Sequence, residues 1–124
     1  MSVDLLLNDA AVVVGDREEV RSIGVKSDKI EGIYPIGQEP SANRVIDCSN
    51  LYVLPGMVDI HVHLRDLEQE AQEDYRTGTM AAAAGGVTTV LDMPNSIPPV
   101  LSRDVLDKKI ANAELNRYVN VGFY

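Results

Sequence analysis

Pro55-Gly56-Met57-Val58-Asp59-Ile60-His61-Val62-His63-Leu64-Arg65-Asp66 is the stretch on which the reading of this chain turns. A Pro-Gly turn opens an apolar run of strand character, and that run ends in the only two histidines of the sequence. Side chains alternate faces along a strand, so Asp59, His61 and His63 point one way while Ile60, Val62 and Leu64 point the other. Two imidazoles one step apart on one face can hold a single metal ion. An H-x-H pair by itself is a weak signal, because surface strands carry such pairs without metal and a zinc site needs three or four ligands. The setting strengthens it: the pair closes an apolar strand and is followed at once by a cation and an anion, polar groups that need a partner if buried.

Outward from this stretch the pattern alternates. Glu68–Ala84 predicts a helix, alanine-rich, acidic at its start and stopped by Gly85-Gly86. Its small residues, Ala81 to Ala84, suit close packing on a sheet. Val87–Asp92 is a β-branched strand that runs into Asp92-Met93-Pro94-Asn95. Ser102 can cap a second helix with an apolar stripe at Leu106, Ile110 and Ala113, and Tyr118–Tyr124 reads as the start of a third strand. Strand, helix, strand, helix, strand is the grammar of a parallel α/β sheet.

Upstream, the character differs. Val3–Asn8 and Ala10–Val14 read as strands broken at Asn8-Asp9, Val20–Lys26 and Lys29–Ile33 as a hairpin around Ser27-Asp28, and Arg44–Cys48 as a further strand. The expectation is a small antiparallel sheet without catalytic groups; acidic pairs such as Glu18-Glu19 are read as solvated turn residues.

Composition bounds the function. The 124 residues, 45% of them hydrophobic, suffice for one ordinary domain. A net charge of −8 argues against nucleic acid or an anionic membrane as partner. No apolar run reaches transmembrane length, and the N-terminus lacks the features of a signal peptide. The single cysteine, Cys48, excludes an internal disulfide and is read as a small buried residue in a reducing cytoplasm.

In parallel α/β folds functional groups gather at the C-terminal ends of the strands. His61, His63 and Arg65 fall at one such end, Asp92 and Asn95 at the next, and neighbouring strands lie about 4.8 Å apart. Arginine through a bidentate fork and asparagine through its amide N–H can together fix a carboxylate. Taken singly, Arg65 is better read as an ion-pair partner of Asp66 or a neighbouring loop carboxylate, and Asn95 as a turn residue beside prolines; their joint placement at strand ends beside the histidines favours function.

The Pro55–Asp66 stretch resembles the opening motif of the amidohydrolase superfamily in its dihydroorotase form. Glu73-Asp74-Tyr75-Arg76-Thr77-Gly78-Thr79, Ala81 through Gly86, Val87-Thr88-Thr89 and Asp92-Met93-Pro94-Asn95 follow the same family in order and spacing. The resemblance covers essentially the whole chain. It implies an α/β architecture: the first strands of a small β-sandwich over residues 1–54, then over 55–124 the opening βαβαβ units of a (β/α)₈ TIM-type barrel. The barrel is incomplete here, since the fold needs ~250 residues. Allantoinases and hydantoinases share the H-x-H pair and the Gly-Gly-x-Thr-Thr stretch but generally differ at Arg65 and Asn95. Leu67-Glu68 stands where many members have Pro-Gly.

By that resemblance the expected reaction is the reversible cyclisation of N-carbamoyl-L-aspartate to L-dihydroorotate in pyrimidine biosynthesis. It implies one or two zinc ions, His61 and His63 as metal ligands, Arg65 and Asn95 as substrate-binding residues, and no catalytic acid/base within this chain. The remaining ligands of the family, a carboxylated lysine, two histidines and an aspartate, come from later strands. Of the four lysines, Lys26 and Lys29 lie in the sandwich region and Lys108 and Lys109 on the second helix, so none is expected at a strand end. The chain is therefore expected to be the N-terminal part of a longer cytoplasmic enzyme, inactive alone. Its partner would be a small cyclic amide bearing a carboxylate, and homo-oligomerisation is compatible with it. The alternatives are another cyclic amidohydrolase, allantoinase- or hydantoinase-like, and a non-catalytic interaction module of the same family.

Overall fold

The computed structural model describes residues 2–124, and the chain separates into two compact units, Met1–Pro55 and Gly56–Tyr124. In the first unit, β1 (Ser2–Val14), β2 (Arg17–Lys26), β3 (Lys29–Tyr34) and β4 (Ser41–Asp47) form one sheet in the order β3-β2-β1-β4. The β2–β3 hairpin is where the sequence places it, with Ser27 and Asp28 both at positive φ, as a tight primed turn requires.

Two expectations for this unit are corrected. Asn8-Asp9 does not break the first strand. Asp9 adopts φ +58 and the pairing with β2 shifts register between Leu7 and Ala10, so the turn-forming pair makes a bulge within one continuous strand. The buried Ser22 hydroxyl holds this bulge, donating to Asn8 Oδ1 at 3.1 Å and accepting from the Asp9 N–H at 3.3 Å. Nor is the sheet wholly antiparallel: β4 runs parallel to β1, Leu6 beside Val45 and Leu7 beside Ile46. The loop after β3 returns the chain to the far side of β1, a crossover that local periodicity does not reveal. Ala10, Val12, Ile23 and Cys48 form this unit's core.

The second unit is a parallel sheet of β5 (Met57–Val62), β6 (Val87–Asp92) and β7 (Asn120–Phe123), connected through α1 (Tyr75–Ala84) and α2 (Arg103–Asn116). Leu64, Tyr75, Val90, Ala113 and Val119 form the core between sheet and helices. Each helix starts on a side-chain cap: Ser102 Oγ accepts from the Val105 N–H, and Asp74 accepts from the Thr77 N–H at 2.7 Å while the Thr77 hydroxyl oxygen accepts from the Asp74 N–H. Gly85-Gly86 ends α1 as expected, with Gly86 at φ +82.

The first helix is shorter than the expected Glu68–Ala84. Leu67 sits at φ +62, the Glu68 N–H donates to Ile97 O at 3.1 Å, and residues 69–72 turn rather than coil into the helix. The acidic residues read as a first helical turn belong to this loop. The segment is anchored to the one after β6, a contact that composition does not report.

Candidate metal and carboxylate site

The C-terminal end of β5 carries the two histidines as a pair, with ring centroids 5.2 Å apart and planes inclined by 69°. Between Asp59 and Val62, β5 takes one residue more than β6 does between Val90 and Asp92, a bulge located at the first histidine. Asp59 Oδ1 accepts from the His61 N–H at 3.0 Å, which fixes the backbone there. His63 Nδ1 lies 2.8 Å from Asn95 Oδ1. The amide oxygen can only accept, so Nδ1 carries the proton and the Nε2 lone pair is left for another partner.

Arg65 and Asn95 line the same cleft as His63, with Asp92 and Lys109 also in its wall. Arg65 is in the left-handed region at φ +46, a conformation uncommon for a non-glycine residue. Among the described residues it forms no ion pair, with Asp66 or any other carboxylate. Asp66 is instead fully buried and accepts from the Asn112 side-chain N–H on α2. Its second oxygen, like the Gln69 side-chain oxygen, is buried without a hydrogen-bond partner among the described residues. The structure thus brings His63, Arg65 and Asn95 into one cleft, with His61 beside His63. Among the described residues no cluster of three or more His, Cys, Asp or Glu converges on one point, so the histidine pair has no third protein ligand there.

Asp92 borders the cleft, but both of its carboxylate oxygens are already engaged. It is 2% exposed and turned towards the helices. Oδ1 accepts from the Leu64 N–H at 3.0 Å, and Oδ2 accepts from the Tyr75 hydroxyl at 2.9 Å and from Lys109 Nζ at 2.7 Å. Burial, and then the negative charge of Asp92, push the Tyr75 hydroxyl far above its ordinary range, so it remains a donor. Lys109 lies on α2 as expected and is 1% exposed, its Nζ reaching from the helix to Asp92 at the end of β6. Signals for both existed. Asp92 shares the parity of Val90, which packs into the helix-side core. Lys109 falls on the buried stripe of α2, four residues before Ala113.

The family described as dihydro-orotase-like matches residues 51–124. A dihydroorotase from Methanothermobacter thermautotrophicus is 42% identical over 98% of this chain, and an allantoinase from Deinococcus radiodurans is 38% identical over the whole of this chain. Among solved structures, an L-hydantoinase from Arthrobacter aurescens superposes with a TM-score of 0.92 at 29% identity over 98% of the chain. The chain spans 27% to 28% of the length of these proteins. Its mixed α/β architecture is that of the N-terminal region of amidohydrolase TIM-barrel proteins. Within that class, the chain belongs to the dihydroorotase-like family of cyclic amidohydrolases. No helix among the described residues is long and apolar enough to cross a membrane.

Proposed function

We propose that the protein carrying these residues is a zinc-dependent dihydroorotase that interconverts N-carbamoyl-L-aspartate and L-dihydroorotate. In this reading residues 1–54 contribute to a small β-sandwich and residues 55–124 open the hydrolase barrel. The observation that carries it is the pairing of His63 with Asn95 beside an arginine with no ion-pair partner among the described residues. Each group then has a distinct task.

His61 and His63 fit zinc as two of its ligands. A zinc-bound histidine characteristically donates its other ring N–H to a carbonyl or carboxylate, and the His63 Nδ1–H already does so to Asn95. The adjacent rings are close enough for both to face one ion. When bound, zinc supplies Lewis-acid polarisation of the ring amide and a water that ionises near neutral pH. Arg65 binds the substrate carboxylate through its planar fork. Asn95, its oxygen engaged by His63, turns its amide N–H donors to the same carboxylate. One asparagine would thereby fix both the tautomer of a metal ligand and the substrate.

The test is an assay of the full-length, zinc-loaded protein on dihydroorotate, allantoin and a hydantoin. Dihydroorotate should be preferred. Arg65→Met should raise KM for it at least tenfold with a smaller change in kcat, the signature of lost uniform binding. Preference for allantoin or hydantoin would overturn the carboxylate role of Arg65 and Asn95. It would support a second reading, another cyclic amidohydrolase, which the allantoinase and L-hydantoinase relatives keep in view.

A further inference from the structure

We infer that Lys109, acting through Asp92, is a positioning residue that sets the His63–Arg65 backbone from the helix layer. The inference rests on the function proposed above only in what that backbone presents, namely one metal ligand and one carboxylate-binding residue. The path is short and fully buried. Lys109 Nζ contacts Asp92 Oδ2 at 2.7 Å, and Asp92 Oδ1 accepts from the N–H of Leu64, the residue between His63 and Arg65, at 3.0 Å. The Tyr75 hydroxyl shares Oδ2 at 2.9 Å, so α1 and α2 each hold the same carboxylate.

Stability alone is a poor account of this arrangement. Desolvating two charges offsets most of their attraction, and a well-packed apolar pair often does as well or better. The ionised pair does what an apolar pair cannot: it keeps a strong, directed acceptor on a single peptide N–H. Without the lysine charge the buried carboxylate is uncompensated. It then turns towards water or another donor, which loosens its hold on Leu64. Arg65, next in sequence, holds a left-handed conformation at φ +46 that needs such backbone restraint.

The experiment uses the full-length protein and two variants, Lys109→Met and the neutral pair Asp92→Asn with Lys109→Met. The asparagine keeps an oxygen for the Leu64 N–H and no longer requires a counter-charge. The first readout is site-resolved amide hydrogen exchange, which is independent of metal and turnover. Lys109→Met should speed Leu64 exchange at least tenfold while Val90 and Ala113, in the same core, change less than threefold. The neutral pair should restore Leu64 to within threefold of wild type. The second readout is turnover, expected to fall at least tenfold in kcat for Lys109→Met and to recover at least partly in the neutral pair.

Unchanged Leu64 exchange in Lys109→Met overturns the inference, as does a uniform rise across the core, which would mark a global structural role. If Lys109→Met fails to fold, the neutral pair decides: restored Leu64 protection supports the inference and its absence overturns it. A wild-type protein inactive on all three cyclic amides would refute the proposed function, while the exchange result would still stand or fall by itself.

Discussion

Asn95 is the residue on which the chemistry of the site is most finely divided. Its oxygen meets His63 Nδ1, and in the function proposed above its nitrogen serves the substrate carboxylate. Two substitutions separate these tasks. Asn95→Asp keeps an acceptor for the imidazole but replaces the amide donors with a charge that repels a carboxylate. Zinc content should stay near wild type while KM for dihydroorotate rises at least tenfold. Asn95→Leu removes both, so metal affinity should also fall by roughly 10- to 100-fold. Metal analysis alongside steady-state kinetics checks the pair, and equal metal loss in both variants would refute the division. The residue types were readable in the sequence, because histidine, arginine and asparagine at strand ends are unusual enough to stand out. The partner of each was not. Arg65 has no ion pair with its neighbour Asp66 because Asp66 is drawn inwards to Asn112, 46 positions along the chain.

The elements owe their positions to a few close approaches. Gly78 on α1 faces Leu64, and a Cβ added there would lie 2.4 Å from a Leu64 methyl. Alanine gains about 1 kcal/mol of helix propensity over glycine, whereas overpacking a buried site costs about 1–3 kcal/mol. Leu64 is 4% exposed and pinned through its N–H, so it has little room to move. Gly78→Ala should therefore destabilise the fold by about 1 kcal/mol or more in chemical denaturation. It should also perturb the histidine segment; a stabilised variant would show that Leu64 yields freely. At the start of the same helix, the Thr77 N–H and hydroxyl hold the Asp74 carboxyl below its ordinary value of 3.8. A depressed carboxylate stabilises fully above its unfolded value and loses that contribution as pH falls through the folded one. NMR titration of the Asp74 carboxyl carbon should thus give a midpoint below 3.8, with α1 fraying as it protonates. A midpoint at or above that value would exclude the cap. The Asp74–Thr77 cap also decided where α1 begins, seven residues later than composition suggested.

Across the whole molecule, apolar surface outlasts the available partners. Val58 and Ile60 on β5 are 59% and 62% exposed, and β5 and β7 flank the three-stranded sheet with no further strand beside them among the described residues. In the first unit Ile30 and Ile33 line an open apolar groove with Val12, Val53 and Leu54. Such edges and patches invite association. The 124-residue chain expressed alone should self-associate at micromolar concentration in sedimentation, and Ile60→Lys should reduce this. Two histidines supply at most half of the ligands that a tetrahedral zinc site needs. Calorimetry should show weak zinc binding, lost in His63→Ala, and no turnover of dihydroorotate. Tight binding by the 124-residue chain would require ligands beyond the histidine pair.

Local pattern by itself determined the second unit's alternation of strand and helix, the β2–β3 hairpin, the Ser102 cap and the placing of His61, His63, Arg65 and Asn95 at strand ends. Each of these depends on periodicity, turn chemistry or chain order, which act over a few residues. Tertiary structure alone decided that β4 runs parallel to β1, that Asn8-Asp9 forms a bulge and that Lys109 reaches Asp92. Those outcomes depend on which buried polar group finds a partner far away in the chain. A lysine on an amphipathic helix reads as solvent-exposed until a buried carboxylate beneath it makes burial the lower-energy choice.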